Sequence, residues 1–293
     1  MKKYFYWALA ILITVSAAIY QRATGPTYPK KIRVSVNHVE YSLKLVRSLG
    51  QDEEPKVKLN INDPTISAKI YYRRYLSNEE YQTADFKFIS KPIHSFVMNK
   101  IFNVTKEEGF FAGVQQQPAA GKIEYYFEIT DGSETKTYLK ENPVVIRFKG
   151  GVPGFILLPH ILFMFIAMLF SNLSGILALF NVSSYRKYTN WTFGSLFVGG
   201  MILGPLVQKY AFGELWTGIP FGWDLTDNKT LIAFAFWVLA VSMNRKKDRP
   251  GYTVLAAVVL LLIYSIPHSM FGSQLNYDTG TVTQGMIMNF LLF

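Results

Sequence analysis

The fold of this chain is decided at residues 155–180, which read FILLPHILFMFIAMLFSNLSGILALF. No Asp, Glu, Lys or Arg interrupts this stretch. A helix needs about 20 mostly apolar residues to cross the hydrocarbon core of a membrane, and a helix that is apolar on every face belongs in a bilayer or a large core. The stretch therefore predicts a membrane-spanning helix.

Four more apolar blocks surround it. Residues 191–207, 231–243 and 253–266 follow, and each becomes long enough to span when its flanking residues are added. The fourth block, residues 4–20, begins directly after two lysines. It is either a cleaved signal peptide, with a small-residue site at residues 15–17, or an uncleaved anchor. The anchor is favoured, and five crossings are predicted.

The charges between these blocks predict the orientation. With the N-terminus in the cytoplasm, eight bases and one acid fall on the inner side, whereas the outer connectors hold two bases and four acids. Basic residues accumulate in the cytoplasmic loops of membrane proteins. The inner group consists of Lys2, Lys3, Arg186, Lys187, Arg245, Lys246, Lys247, Arg249 and Asp248, and the outer group of Lys209, Lys229, Glu214, Asp224, Asp227 and Asp278. We expect residues 22–150 and the C-terminus to be periplasmic.

Residues 22–150 have the period of β-strands rather than of helices. Residues 56–61 alternate strictly between polar and apolar side chains, as a half-buried strand does. Further strands are expected at residues 68–75, 86–89, 122–129 and 143–148, with Pro/Gly/Asp turns between strands. Several short strands within about 130 residues are typical of a β-sandwich of immunoglobulin or fibronectin III type.

Composition excludes several classes of function. The chain has no cysteine, which removes disulfides, thiolate metal sites and a cysteine nucleophile. The net charge of +10 is spread along alternating strands and short loops, so it reflects topology and predicts no nucleic-acid binding. The sequence contains no phosphate-loop, zinc-protease or nucleophile-elbow motif. A non-enzymatic protein is therefore favoured over an enzyme.

Two histidines in apolar stretches form the candidate site. His160 and His268 each follow a proline, and helix rise places both at a similar depth near the outer side. Ionisable groups inside membrane segments are costly and point to function. The outer loop at residues 222–229 adds the remaining candidates, Asp224, Asp227, Asn228 and Lys229.

Three interpretations of this site remain open. The histidines bind one divalent metal ion with Asp224 or Asp227, or they are the axial ligands of a single b-type haem. In the third, favoured interpretation, the polar residues form a hydrogen-bonded cluster that holds helices together without a cofactor. Thr226 or Asp227 is also expected to cap the helix that follows, whereas no capping role is expected for Asp224.

Two sets of motifs carry a resemblance to known proteins. The β region contains AKIYYRR (68–74) and PAAGKIEYY (118–126), and the helical region contains PHILFM (159–164), GPLVQKYAFG (204–213), PFGWDLTDNKT (220–230) and PHS (267–269). The chain resembles uncharacterised bacterial inner-membrane proteins with an exported immunoglobulin- or fibronectin III-like domain. The resemblance implies a domain order and brings no activity.

The sequence thus predicts a mixed fold in four parts: an N-terminal anchor (1–21), a periplasmic β-sandwich (22–150), a four-span helical membrane core (151–284) and a short apolar interfacial tail (285–293). The leading hypothesis is a non-enzymatic protein of the bacterial inner membrane that binds an envelope partner, or is a complex subunit, through the sandwich. The alternative is a redox or metal-handling membrane protein with His160 and His268 as ligands.

Overall fold

The computed structural model describes residues 2–92, 106–132, 134–267 and 273–283. The chain divides into two compact units, one formed by Met1–Pro26 with Gly151–Phe293 and the other by Thr27–Gly150. The N-terminal helix is thus grouped with the later helices. His268 and the tail at residues 285–293 lie outside the described residues.

The second unit is built from strands. Their bounds are β1 Lys30–Val36, β2 Val39–Leu45, β3 Ser48–Gly50, β4 Lys56–Leu59, β5 Ser67–Arg74, β6 Gln82–Asp85, β7 Lys87–Pro92, β8 Lys106–Gly113, β9 Lys122–Asp131, β10 Glu134–Tyr138 and β11 Val144–Lys149. The strands predicted from the alternating and aromatic-rich stretches coincide with β4, β5, β7, β9 and β11 to within three residues at each end.

The strands within residues 30–92, 106–132 and 134–149 form a two-stranded hairpin and two larger sheets. One sheet has the order β3-β11-β9-β5-β6 with β10 also paired to β9, and the other has the order β4-β8-β7. Strands β3 and β11 pair in parallel, and the other pairs in these two sheets are antiparallel. The hairpin β1-β2 turns at Asn37 and His38, which both have positive φ. Positive φ at both central residues is the geometry of a type I′ turn, whose twist matches that of the paired strands.

One hydrophobic core holds the hairpin and both sheets together. Val34, Leu43, Leu59, Ile70 and Phe127 are almost fully buried in it. Along β1, β2, β4 and β5 the buried side chains alternate with more exposed ones, so these strands turn one face inward, whereas residues 123–127 of β9 are all buried. The β-rich character predicted for this region is therefore present.

The described residues of the first unit form five helices. Their bounds are α1 Lys2–Thr24, α2 Gly154–Leu179, α3 Tyr185–Phe212, α4 Leu225–Met243 and α5 Pro250–Ser265. Two very short strands follow, β12 Gln274–Leu275 and β13 Val282–Thr283. Helices α1, α2 and α3 are long and apolar enough to cross a membrane, and α5 is a shorter apolar helix. Three candidate spans are compatible with an integral membrane protein; the crossings of α4 and α5 remain predictions.

Helix α1 packs into the helical unit. Ala10 is fully buried, and the Thr14 hydroxyl accepts a hydrogen bond of 2.9 Å from the Asn172 side chain on α2. The Trp7 ring lies edge-on to the Tyr188 ring of α3, with centroids 5.7 Å apart. Helix α1 is therefore a packed member of the helical unit, with buried residues of its own and a buried hydrogen bond to α2.

Small residues allow the helices to approach closely. A Cβ at Gly175 would lie 2.6 Å from the Ala257 Cβ, so α2 and α5 fit together only with glycine at that position. The Trp237 side chain of α4 is fully buried in a cluster that contains five buried alanines, at positions 167, 233, 240, 256 and 257. Close packing of small residues drives the association of membrane helices, where lipid removes the hydrophobic advantage of burial.

Helix α3 changes its winding midway. Residues Phe197–Leu203 form a π-helical segment between the α-helical segments Tyr185–Leu196 and Gly204–Phe212. Pro205 lacks an N–H and its ring would crowd the preceding turn of a regular helix, whereas a widened turn accommodates it. In this segment the Gly204 N–H bonds to the Gly199 carbonyl, five residues back.

Candidate functional site

Asp224 is the residue that caps helix α4. Its Oδ1 accepts hydrogen bonds from the backbone N–H groups of Thr226 (2.8 Å) and Asp227 (3.2 Å), and its backbone is extended, as at an N-cap. The sequence prediction that Thr226 or Asp227 would cap this helix was therefore wrong. The helix begins at Leu225, within the loop expected from the sequence, so the cap lies two residues before Thr226 and three before Asp227.

Asp227 instead ties helix α4 to the loop before it. Its Oδ2 accepts hydrogen bonds from the backbone N–H (2.6 Å) and the hydroxyl (3.1 Å) of Thr217. Gln208, on the last turns of α3, donates to the same hydroxyl at 2.6 Å. Asn228 acts in parallel, because its side-chain oxygen accepts the backbone N–H of Ile219 at 2.7 Å. The loop between α3 and α4 is thus fixed by consecutive residues of α4.

Lys229 connects α4 with the end of α5. Its side chain is buried, and its Nζ donates to the carbonyl oxygens of Ile266 (3.0 Å) and Pro267 (3.5 Å). The last carbonyls of a helix have no partner within the helix and carry partial negative charge. The ammonium therefore caps the C-terminal end of α5. Within the described part of the chain, no carboxylate oxygen lies within 4.0 Å of Lys229 Nζ.

His160 lies on α2 against the π-helical segment of α3. Its Nδ1 donates to the carbonyl oxygen of Gly199 at 2.9 Å. A Cβ at Gly199 would lie 2.9 Å from the Phe163 Cβ, so this approach of α2 to α3 depends on glycine. With the proton on Nδ1, a neutral ring keeps its lone pair on Nε2. A histidine that ligates a metal commonly donates its other N–H to a backbone carbonyl in this way.

Four of the six candidate residues predicted from the sequence lie together at the start of α4. Asp224, Asp227, Asn228 and Lys229 all lie on the first turns of α4 or at its cap, and each bonds to backbone groups. His160 makes its bond elsewhere, to α3, and His268 falls outside the described residues. Among the residues that the structure describes, no group of three or more His, Asp and Glu side chains is arranged to hold a metal ion. The metal and haem interpretations, which need His268, stay predictions.

Three further contributors were not predicted from the sequence. Gln208 and Thr217 complete the network around Asp227, and Gly199 supplies the carbonyl that holds His160. The only available signal was the proline at position 205 next to glycine at 204, which marks an irregular helix but does not identify its bonding partner.

A second polar arrangement lies on the β unit, on the face of β5 and β9 that points away from the core. The rings of Tyr71 and Tyr126 stack with centroids 4.7 Å apart, and Tyr81 meets Tyr126 edge-on at 5.0 Å. Arg73 bonds to Glu124 at 2.5 Å and lies 4.4 Å from the centre of the Tyr81 ring. This set of side chains is called the tyrosine face below.

Electrostatics stiffens the tyrosine face further. The Tyr71 hydroxyl donates a hydrogen bond to Glu128 at 2.8 Å. This bond is the main cause, and desolvation the second, that raises the pKa of Tyr71 to about 12. Tyr81 also donates to Glu124, at 3.0 Å, and its pKa is raised by burial and by this bond. Both hydroxyls therefore remain protonated donors at neutral pH, and the carboxylates hold the rings in place.

Comparison with known proteins adds no assignment, since no protein-family model and no curated protein matches the chain.

Proposed function

We propose that this is a non-enzymatic protein of the bacterial inner membrane, whose exported β unit binds a partner protein of the cell envelope or docks as a subunit of a complex. The β unit is connected to a candidate membrane helix at both ends, α1 before it and α2 after it. The polar residues at the start of α4 make hydrogen bonds that serve the architecture of the bundle. Their role in this proposal is to fix its outer end.

The strand order supports an immunoglobulin-type sandwich. In such domains a sheet of the F, G and C strands faces a sheet of the B, E and D strands. Strands β11, β9 and β5 fit the first set, and β4, β8 and β7 fit the second, in the same chain order. Sandwiches of this type host many functions, so the fold alone assigns none.

The tyrosine face is the observation that carries the proposal of a partner. Tyrosine and arginine are enriched at protein interfaces, because each combines a large contact area with hydrogen-bonding groups. Here Tyr71, Tyr81 and Arg73 are only partly buried, and stacking, hydrogen bonds and an ion pair hold them in one arrangement. A surface ordered before binding loses less conformational entropy when a partner arrives.

The ends of the helices support five crossings with the N-terminus inside. Arg186, at the start of α3, bonds to Asp248 at 3.1 Å and to the carbonyl of Arg245 at 3.0 Å, so the loops before α3 and before α5 meet at one end. The network of Asp227 and Lys229 lies at the start of α4 and the end of α5. This alternation places the basic loops together, in agreement with the positive-inside rule.

The experiment that tests the partner is site-specific photocrosslinking in cells with the full chain. The crosslinking residue replaces Thr83, an exposed residue paired with Tyr71 at the edge of the tyrosine face. The matched control replaces Val39, which is half exposed on the hairpin. We expect a discrete adduct from position 83 that disappears when Arg73 and Tyr81 are both changed to alanine. Equal adducts from both positions, or none from position 83, would contradict the proposal.

A second candidate function rests on the bond between His160 and Gly199. That bond orients Nε2 as an available ligand for a metal ion or a haem iron, provided that His268 supplies a second ligand. Asp224 and Asp227 already accept backbone N–H groups, so this version depends on the two histidines.

A UV–visible spectrum with elemental analysis distinguishes the second candidate. It compares the detergent-purified wild type with the His160→Ala/His268→Ala double variant and with His38→Ala, a control at the hairpin turn. A Soret band or a near-stoichiometric metal lost only in the double variant would establish a cofactor site. An unchanged metal content in all three proteins would refute it.

A further inference from the structure

A cavity opens at the end of the helical unit where α1 begins. Its volume is about 280 Å³, and it is lined by α1, by the C-terminal half of α2 and by the start of α3. Small-ligand pockets begin at roughly 300 Å³, so the cavity accommodates a compact headgroup or part of an acyl chain. The lining includes Lys2, Lys3, Trp7, Leu177, Ser184 and Tyr188.

The polar and apolar groups of the cavity lie at different depths. Lys2 and Lys3 are exposed at the first turn of α1, with the exposed Ser184 at the start of α3. Trp7 lies four residues after Lys3 on α1, which is roughly 6 Å deeper along the helix axis. Leu177 is buried within α2. The cavity thus has a cationic mouth and an aromatic and aliphatic interior.

Among the residues that the structure describes, no carboxylate neutralises the charge at the mouth of the cavity. Across the described ranges, neither Lys2 Nζ nor Lys3 Nζ has a carboxylate oxygen within 4.0 Å. Arg186, the nearby base at the start of α3, is instead paired with Asp248. Two adjacent ammonium groups above an apolar interior are complementary to an anion that continues into a hydrocarbon chain.

The position along α1 identifies the source of that anion. Helix α1 is a candidate membrane span of 23 residues, and Lys2 and Lys3 are at its very end, where lipid headgroups lie. Trp7 and Tyr188, which pack edge-on at 5.7 Å, have the amphipathic rings favoured at the membrane interface. Basic pockets between membrane helices on the cytoplasmic side bind the headgroups of anionic lipids.

We propose that this cavity binds one anionic phospholipid, with the phosphate at Lys2 and Lys3 and the glycerol and upper acyl chain against Trp7 and Leu177. The site needs α1 in place, so it also assigns a role to the N-terminal helix in the mature protein. It stands independently of the partner proposed for the β unit.

The experiment is native mass spectrometry of the full chain in neutral detergent, titrated with dioleoyl phosphatidylglycerol and, separately, with dioleoyl phosphatidylcholine. We expect one phosphatidylglycerol to bind at least tenfold more tightly than phosphatidylcholine. The exposed pair is then changed to Lys2→Gln/Lys3→Gln, which removes two charges and lowers phosphatidylglycerol affinity about tenfold or more. The control Lys246→Gln/Lys247→Gln makes the same charge change on exposed residues of another loop and leaves the affinity unchanged.

Three results would overturn this proposal. Equal binding of both lipids would show that the headgroup charge is not recognised. An equal loss in the Lys246→Gln/Lys247→Gln control would show attraction to overall charge rather than to the cavity. Displacement of phosphatidylglycerol by an equal concentration of inorganic phosphate would show an anion site that does not require a lipid.

Discussion

Changing Asp227 to alanine removes the acceptor that holds the loop between α3 and α4 against the bundle. Its carboxylate accepts two hydrogen bonds from Thr217, and the loss leaves a buried backbone N–H without its partner. Hydrogen bonds to a charged group contribute roughly 1.5–3 kcal/mol each, and an unsatisfied buried donor costs about 1–3 kcal/mol. Because these effects overlap, we expect the free energy of unfolding to fall by about 3 kcal/mol.

The assay is thermal unfolding of the full chain in detergent, combined with limited proteolysis of the loop. For a unit of this size each kcal/mol corresponds to roughly 2–4 °C, so Asp227→Ala is expected to melt about 6–12 °C lower. Asp227→Asn keeps one acceptor oxygen and is expected to fall between the variant and the wild type. The control is Glu214→Ala, an exposed acid of the same loop, whose effect is expected within about 0.5 kcal/mol.

A specific pattern would refute this reasoning. If Asp227→Ala and Glu214→Ala melted together and the loop stayed resistant to protease, the network around Thr217 would not stabilise the bundle. The role assigned to the polar residues of α4 would then be wrong.

Buried groups elsewhere in the two units are open to the same kind of test. Trp237→Ala is expected to lower the free energy of unfolding by about 3–5 kcal/mol, because it leaves a cavity in the bundle core. Trp237→Phe is expected to cost much less, because the indole N–H has no partner among the described residues. Thermal unfolding of both variants checks this prediction. A double-mutant cycle tests the buried hydrogen bond between α1 and α2, with Thr14→Val, Asn172→Leu and the double variant. The expected coupling energy is about 1 kcal/mol. A coupling energy near zero would show that this hydrogen bond does not hold α1 to the bundle. Burial, and then the charge of Arg147, lowers the pKa of Lys122 from 10.5 to about 8, so the folded state loses this proton at lower pH than the unfolded state does. Stability is therefore expected to rise between about pH 8 and pH 10, by at most about 3 kcal/mol, in denaturant titrations of the wild type, and Lys122→Met abolishes the rise.

The β-strands show how far a local pattern reaches. Strand β4 was predictable because alternation in four residues already defines its buried face. Strand β10 was not, since it is exposed at all but its last residue and exists only through its pairing with β9. Strand β3 was missed for another reason: it is buried, but its three residues are too few to show a period, and they pair in parallel with the distant β11. Sequence periodicity reports burial, and a strand without a buried face gives no such signal.

The candidate site divides in the same way. The sequence identified the residues that are costly to place in a membrane segment, and four of them do meet at the start of α4. From the sequence, the N-cap of α4 was assigned to the wrong residue. Two carboxylates lie close together there, and which of them caps the helix depends on which one bonds to the preceding loop. Thr217 in that loop donates hydrogen bonds to Asp227, and Asp224 accepts the N–H groups at the start of the helix.

The apolar helices and the β character of the region between them were predictable from the amino-acid sequence alone, because both follow from the spacing of side chains along one segment. The backbone group that each polar side chain bonds to is set by helix packing: His160 bonds to the Gly199 carbonyl, and Lys229 bonds to the end of α5. Those partners lie 39 and 37 residues away along the chain. Their meeting depends on helix packing and on a π-helical turn, which no local pattern encodes.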